Sequence, residues 1–584
     1  MAQHLSITGL GVVCAIGNSC HEVLRAVSNG ERGIRSVRYL DTVHKELPVG
    51  EVQMSDSEMK VKLGIASDAI VSRTTLMGAI ALKQAMADAG ITPTELQGRR
   101  VVFISGTTVG GMDVTERLFN DMKTDDEALR YFTRHDCGSC THHIAELCGI
   151  GDSEVCTIST ACSSAANAII MGCEMLRNNE ADIVIAGGTE ALSKFHLNGF
   201  NTLMILDHEP CRPFDATRAG LNLGEGAAYV VIEPDAAREK TKAYVGGYGN
   251  RCDAFHQTAS SDNGEGAYLA MTEALSMAGV SAEKIQYVNA HGTGTPNNDP
   301  SESAALRRVF GNNIPPVSST KGMTGHTTSA SGSIETVITI LAMQHGFIPP
   351  NVGCTKADET CVNPVTVPTE AKIDYALCNA FGFGGNDSSL LLCREPWSVE
   401  PCGEKRNAVT VAADVTIDGT EALAQNSGYI SPREGRRMCR LMKAATTASL
   451  MAMEQAAVES PDAIVSATAY GMMENSEKFL TDMCEGGEQL LKPTLFMQST
   501  HNTVGSDIAI RTHCHGYNVT YTQGAESMAW AMRDAKRMIE NGNASNVLVV
   551  AADESTPLTR SFAARLGEEE PKELYARCVI LKKG

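Results

Sequence analysis

The chain of 584 residues carries 49 Lys and Arg against 69 Asp and Glu, a net charge of −20, with 43% hydrophobic and 20% charged residues, 53 Gly and 20 Pro. That composition belongs to a globular protein rather than a disordered, collagenous or coiled-coil one, and the length calls for three or four folding units. The negative field works against nucleic acid and anionic membrane surfaces, and no run of about 18 apolar residues could span a bilayer.

The chain opens on Met1-Ala-Gln-His-Leu-Ser-Ile-Thr-Gly, which is strand-like and lacks the basic start of a secretory signal. Its 19 Cys, an odd number, therefore read as free, mostly buried thiols in a reducing cytoplasm. Gly9-Leu-Gly-Val-Val begins like a dinucleotide fingerprint, but Cys14 and Ala15 follow where that pattern needs glycine. Short β-branched runs, Val101–Ser105 and Asp182–Ala186, then alternate with Ala-rich helical stretches, Leu76–Ala89 and Ser163–Leu176. Alternation of this kind predicts a layered α/β fold, buried sheets covered by helices. Cys137-Gly-Ser-Cys140-Thr-His142-His143 imitates a zinc site, yet no second Cys/His pair follows at zinc-ribbon spacing, so no metal is expected.

Thr157-Ile-Ser-Thr-Ala-Cys162-Ser-Ser reads as a strand, a tight turn and a helix start. A thiol at that position gains from the helix dipole and free N–H groups, which favour the thiolate and can hold an oxyanion. His291, in Asn289-Ala-His-Gly-Thr-Gly-Thr295, and His326, in Lys321-Gly-Met-Thr-Gly-His326, occupy Gly/Thr-rich loops after extended segments. Together with Cys162 they form a candidate nucleophile-and-histidine constellation. Phe381-Gly-Phe383-Gly-Gly385 follows a strand; taken alone it is a turn, a phosphate cradle or an oxyanion donor. Arg394–Arg406, with two prolines and mixed charge, marks a linker.

Beyond it the chain starts over. Ile104-Ser-Gly-Thr-Thr-Val-Gly-Gly-Met112 is echoed by Val465–Met473, and Ile183–Glu190 by Val547–Glu554, in the same order and at nearly the same separation. Such a pattern predicts an internal duplication.

Over residues 3–396 the chain resembles the elongating β-ketoacyl-acyl-carrier-protein synthases of the thiolase fold. The resemblance is carried by Gly9-Leu-Gly-Val-Val, Thr160-Ala-Cys162-Ser-Ser, Cys211-Arg-Pro-Phe-Asp215 leading to Gly224-Glu-Gly226, Asp253-Ala-Phe-His256, the two His loops and Phe381-Gly-Phe-Gly-Gly385. It implies a layered αβαβα architecture, Cys162 as the acylated nucleophile, and His291 and His326 as the groups that bind the malonyl thioester and stabilise charge as carbon dioxide leaves. It further implies an oxyanion hole from the N–H groups of Cys162 and Phe383, Phe381 as a gating aromatic, and Lys321 and Glu335 as ordering residues. The implied reaction is decarboxylative Claisen condensation in fatty-acid or polyketide synthesis. No cofactor is implied beyond the phosphopantetheine of acyl carrier protein, which is acidic and would dock on local positives such as Lys60, Lys62 or Arg73. The competing readings are a non-condensing carrier-binding scaffold and a malonyl-carrier decarboxylase.

Two departures stand out. Asn386-Asp387 replaces the usual Thr-Asn, and Leu203–Pro210 is shorter than in housekeeping synthases. The domains implied are 1–240 and 241–394 as the two halves of a synthase, 395–407 as linker, and 408–584 as an extra half-thiolase-like domain. The last resembles only the N-terminal half of a second synthase, without counterparts of the His loops. In Val519–Met528 the position of Cys162 falls on Gln523, Ala525 or Glu526, none of them a nucleophile of this kind. An inactive partner of this sort is similar to a chain-length factor, short versions of which accompany synthases of aryl polyene pigments, and implies a homodimer or a pseudo-heterodimer within one chain.

Overall fold

The computed structural model describes residues 3–399 and 406–584. The synthase-like part is built from β1 (Gln3–Cys14), α1 (Arg73–Ala89), β2 (Val101–Gly106), α2 (Cys137–Leu147), β3 (Glu154–Ile158), α3 (Ser164–Arg177), β4 (Ile183–Glu190), β5 (Gly226–Pro234), β6 (Ala243–Cys252), α4 (Glu265–Ala278), β7 (Tyr287–Asn289), β8 (Val317–Ser318), α5 (Ser331–His345), β9 (Tyr375–Gly382) and β10 (Asn386–Cys393), among other elements. The C-terminal part contributes β11 (Val409–Asp418), α6 (Arg440–Gln455), β12 (Ala463–Ala467), α7 (Thr503–Thr512), β13 (Tyr517–Tyr521), α8 (Ser527–Glu540), β14 (Asn546–Glu554) and β15 (Leu574–Lys583).

The strands form one hydrogen-bonded path in the order β11-β15-β14-β12-β13-β3-β2-β4-β5-β1-β6-β10-β9-β7-β8. β1 carries the path between the two synthase halves, pairing with β5 along its length and with β6 only at Ser6 and Ile7. Helices α3 and α5 are buried nearly all round and lie in one core between the two halves, the mark of an inner helical layer. The layered α/β architecture is therefore present as read from the sequence.

Helix α1 shows why the Gly9-Leu-Gly segment is not a nucleotide loop. It is capped by Ser72 and ended by Gly90 at φ 68, and its Ala81, Ala85 and Ala89 press onto β1. A Cβ on Gly9 would lie 2.2 Å from the Ala85 carbonyl oxygen, and one on Gly11 only 1.9 Å from that of Ala81. These glycines exist for helix-on-strand packing.

The duplication is visible in the topology. β2 runs parallel to both β3 and β4, as β12 does to β13 and β14; β4 then pairs antiparallel with β5, as β14 does with β15. One detail of the sequence alignment is corrected by one residue: the counterpart of Glu190 is Asp553, not Glu554. Glu190 accepts from Thr107 Oγ1 at 2.8 Å and the Thr108 N–H at 3.0 Å. Asp553 accepts from Thr468 Oγ1 at 2.8 Å and the N–H groups of Ala469 and Tyr470 at 2.9 and 3.0 Å. Both carboxylates gather the orphan donors of a loop after a strand, so the loop decides the register.

The two parts meet where β13 pairs antiparallel with β3, Tyr521 opposite Ile158. Around this seam Arg533 and Arg537 reach Glu180, Arg565 pairs with Asp126 at 2.7 Å, and Phe496 packs on Phe195 and Phe200. Of the expected linker 395–407, residues 400–405 lie outside the described residues. Its start is not free chain: Ser398 and Val399 pair with His4 and Gln3, and Trp397 Nε1 donates to the Ala278 carbonyl at 3.1 Å.

Substituting Gly11→Ala forces α1 off β1 and is expected to cost about 3 kcal/mol, at the upper end of overpacking penalties. Urea unfolding followed by far-UV circular dichroism reads this as a lowered midpoint, whereas Gly428→Ala, exposed and with open space around it, shifts it far less.

Candidate active site

Strand β3 delivers the chain to a turn that only a constrained backbone can make. Ala161 sits at φ 51, in the left-handed region, and is followed by the one-turn helix Ala161–Ser163 and then α3. Ser164 secures the turn: its Oγ accepts from the Thr160 N–H at 2.9 Å and donates to the Ala161 carbonyl at 2.6 Å. Left-handed backbone at a non-glycine residue is costly and persists where the surroundings enforce it. The result is Cys162 held at the buried start of a helix.

His326 and His291 converge on it from two loops of the second half. Cys162 Sγ lies 3.1 Å from His326 Nε2, and His326 Nδ1 lies 3.0 Å from Ser331 Oγ. The two imidazoles are 5.3 Å apart and nearly perpendicular, with Phe381 5.7 Å from His291. Lys321, fully buried, points its Nζ at Glu335 Oε1, at the His291 carbonyl (2.5 Å) and at His291 Nδ1 (3.3 Å). An ammonium has only donors, so His291 Nδ1 accepts and its proton resides on Nε2, facing the site. The structure thus brings together Cys162, His291, His326, Phe381, Lys321 and Glu335, and the Phe383 N–H is directed at the Cys162 sulfur.

Burial sets the protonation states. It holds both imidazoles well below the ordinary value of about 6.5, with the Lys321 charge pushing the same way. It pushes the Cys162 thiol up to about 12, against the pull of Lys321 and the Phe383 N–H. Desolvation works against the thiolate expected from the helix N-terminus, and Lys321 and the Phe383 N–H offset it only in part. Glu335 is raised to about 7, again by burial.

Two supporting residues escaped the sequence reading. Glu302 accepts from the N–H groups of His291 and Gly292 at 2.9 and 2.7 Å, fixing the first His loop. Ser331, five residues after His326, had a weak local signal; Glu302 had none, because its contact runs back across a helix start. One proposed docking positive is corrected. Arg73 is buried, gripping Glu225 and Asp56 at 2.6 Å each, and presents no charge to a partner. Cys137 and Cys140 start α2, where Gly138 packs against Gln523 and Cys140 Sγ lies 3.2 Å from Thr75 Oγ1. Among the described residues the Cys/His/carboxylate group tight enough for a metal is Cys162, His291 and His326 themselves.

The β-ketoacyl synthase N-terminal-domain family matches residues 2–237, its C-terminal-domain family residues 242–355, and a second N-terminal-domain family residues 416–584. The chain belongs to the β-ketoacyl synthase family. It is 33% identical to a 3-oxoacyl-[acyl-carrier-protein] synthase 2 of Coxiella burnetii over 413 residues, 67% of this chain and 99% of that protein. It is also 33% identical to nodulation protein E of Rhizobium meliloti over 407 residues, with the same coverage. Among solved structures it is similar to the ishigamide ketosynthase/chain length factor, at TM-score 0.64 and 30% identity, over 68% of this chain and 100% of that one. The PfaC keto synthase-chain length factor, 16% identical, shares the fold across 100% of this chain and 78% of its own at TM-score 0.80. No helix among the described residues of the synthase is long and apolar enough to cross a membrane.

The pseudo-twofold of the synthase decides which residue stands where Cys162 should be. Gly524, at φ 54, repeats Ala161, and Ser527 Oγ accepts from the Gln523 N–H at 2.8 Å and donates to the Gly524 carbonyl at 2.7 Å, as Ser164 does in the active half. Of the three candidates, Ala525 therefore replaces Cys162; Gln523 takes the place of Thr160 and Glu526 that of Ser163. Ala525 and Glu526 face solvent. Gln523 Oε1 instead accepts from Thr157 Oγ1 at 2.6 Å across the seam. There the two parts enclose a cavity of about 50 Å³, lined from the active half by Thr108, Val109, Met112 and Phe195 and from the C-terminal half by Tyr470, Met473, Phe496 and His501. His501 Nδ1 lies 3.4 Å from Ser159 Oγ, three residues ahead of Cys162.

Because His291 and His326 are held neutral, the unfolded chain binds protons below about pH 6.5 that the folded site refuses, so stability falls as pH falls through that range. The free energy of unfolding is expected to drop by up to about 1.4 kcal/mol per pH unit for each such histidine. Urea titrations at pH 7.5, 6 and 5 check this, and the double variant His291→Asn, His326→Asn loses part of the acid slope.

Proposed function

We propose that the chain condenses an acyl thioester with malonyl-carrier protein, with Cys162 as nucleophile and the C-terminal half as a chain-length-factor-like partner. The observation that carries this reading is the single buried cluster of Cys162 thiol, two neutral imidazoles and a backbone N–H aimed at the sulfur.

In the first half-reaction His326 Nε2 takes the thiol proton as Cys162 sulfur attacks the acyl thioester. The carbon–sulfur bond to the phosphopantetheine breaks, and the departing thiol leaves with that proton. The N–H groups of Cys162 and Phe383 hold the oxyanion formed on the way. In the second, malonyl thioester loses carbon dioxide, and the electron pair of the broken bond becomes an enolate. His291 Nε2–H donates to its oxygen; a neutral donor suits this task because it stabilises charge only as it develops, while His326, whose Nε2 has handed its proton to the departing thiol, stands beside the same oxygen. The enolate carbon then attacks the acyl group on Cys162, a carbon–carbon bond forms, and the sulfur leaves as thiolate and recovers a proton. Lys321 keeps the His291 tautomer, and Glu335 and Glu302 keep Lys321 and the loop in place. A reducing cytoplasm accompanies this reading, since the nucleophile must remain a free thiol. Lys60 and Lys62 remain as local positives for the acidic carrier.

The acyl chain would run from Cys162 towards the seam cavity. Its far wall belongs to the C-terminal half, so product length is set there. Two outcomes test the proposal by mass spectrometry of carrier-bound species. Cys162→Ala is expected to abolish the acyl-enzyme and the β-ketoacyl product, while malonyl-carrier still loses carbon dioxide at a measurable rate; retained condensation overturns the reading. Met473→Trp, which fills the cavity from the C-terminal side, is expected to shorten the product by at least one malonyl-derived unit, and an unchanged product distribution removes the chain-length role.

A further inference from the structure

We propose that Asn502, on the C-terminal half, is a positioning residue of the oxyanion hole in the other half. The inference rests on the condensation reading for the identity of the hole and adds a second task for the C-terminal half: it holds the catalytic loop in its working shape.

The loop is the tight turn Phe383-Gly384-Gly385 between β9 and β10, with Gly384 at φ 84 and Gly385 at φ 76. Phe383 directs its N–H at the Cys162 sulfur, while its carbonyl accepts from Asn502 Nδ2 at 2.8 Å. The same amide donates to Asn386 Oδ1 at 2.6 Å, and Asn386 Nδ2 donates onward to the Asn518 carbonyl on β13 at 3.0 Å. One side-chain amide of the C-terminal half thus clamps both ends of the turn, and Asn386 returns the bond to the C-terminal sheet. All three asparagines are buried. With both amide hydrogens of Asn502 facing acceptors, the network itself fixes which way the amide points.

The turn lies flush against α7. A Cβ on Gly384 would sit 2.1 Å from Ser506 Oγ and 3.0 Å from Asn502 Nδ2, so the first turns of that helix set how far the loop can move outward. A loop so constrained loses little order when an oxyanion forms, which is what preorganised donors require.

The position of Asn502 in its own helix points the same way. It is the N-cap of α7, a place where Asn ordinarily caps its own helix, yet its side chain makes no capping bond. Its pseudo-symmetric counterpart Asp136, the N-cap of α2, does the ordinary thing and accepts from the Ser139 N–H at 2.8 Å. Asn502 leaves helix donors uncapped and turns to the loop of the other half, and its own Oδ1 is buried without a partner. Asn386 supplies the matching amide. The relation is one-way, because the C-terminal half has no nucleophile.

The test compares two reactions of Cys162 in the full chain: acyl transfer from an acyl thioester, which forms an oxyanion, and alkylation by iodoacetamide, which does not. Asn502→Asp keeps the shape and sets an acceptor against two acceptors; Asn502→Ala removes the group. Each is expected to slow acyl transfer and kcat by 10- to 100-fold, with KM for malonyl-carrier within about twofold of the unsubstituted chain and alkylation slowed far less than acyl transfer, by no more than the weakened pull of the Phe383 N–H on the thiol. Thr512→Ala, at the far end of the same helix where the hydroxyl donates to the Ile508 carbonyl, should change neither. Equal slowing of both reactions, or unaltered acyl transfer in whichever Asn502 variant remains folded, overturns the inference. Absence of acyl transfer in the unsubstituted chain would instead overturn the condensation reading.

Discussion

The structure depends on the short antiparallel contact between β3 and β13. Ser159 N–H donates to the Thr520 carbonyl and Thr522 N–H to that of Thr157, at 2.9 and 3.0 Å, on backbone that is otherwise buried. Without a partner strand those groups would be desolvated and unpaired, at a cost of about 1–3 kcal/mol each. They lie within a few residues of the strained turn at Ala161. The strand that delivers Cys162 is thus steadied by β13, and this chain carries that partner strand itself.

The same constraint explains what the C-terminal half has kept. It retains the strands that reproduce β1 to β5, the helix that abuts the Phe383 loop and the helix that follows the counterpart of the Cys162 turn. It lacks everything that would close a second site, so Ala525 opens to solvent. The contrast between α3 and α8 follows. Helix α3 is enclosed on all sides by the inner layer, whereas α8 turns Ala529 and Lys536 outward and keeps Trp530, Ala531 and Ala535 inward. Burial does the remaining chemical work in the active half. It keeps the imidazoles neutral and works against the thiolate, and it makes the Lys321–Glu335 pair strong enough to set a tautomer.

Much of this was legible in the chain itself. The period of apolar strands and Ala-rich helices announced a layered α/β fold, because buried strands and inner helices both need continuous apolar runs. Cys162, His291, His326 and the Phe383 turn were visible because a cysteine at a strand–turn–helix junction and glycine-rich loops leave local composition signals. Arg73 misled because a charge reads as exposed until its burial against Glu225 is seen. The helix start at Cys162 suggested a thiolate for the same reason: sequence shows the dipole and not the desolvation.

What the sequence determined by itself was the family and the absence of a cysteine from the C-terminal counterpart of the Cys162 turn, since both reside in short contiguous motifs. Only the tertiary structure decided that Ala525 is the missing cysteine's replacement, that Asp553 repeats Glu190, and that Asn502 reaches the Phe383 carbonyl. Each of these is a matter of register or of contact across the seam. Register depends on which backbone groups must be satisfied, and contact on residues more than a hundred positions apart meeting in space. No local pattern in the chain records either.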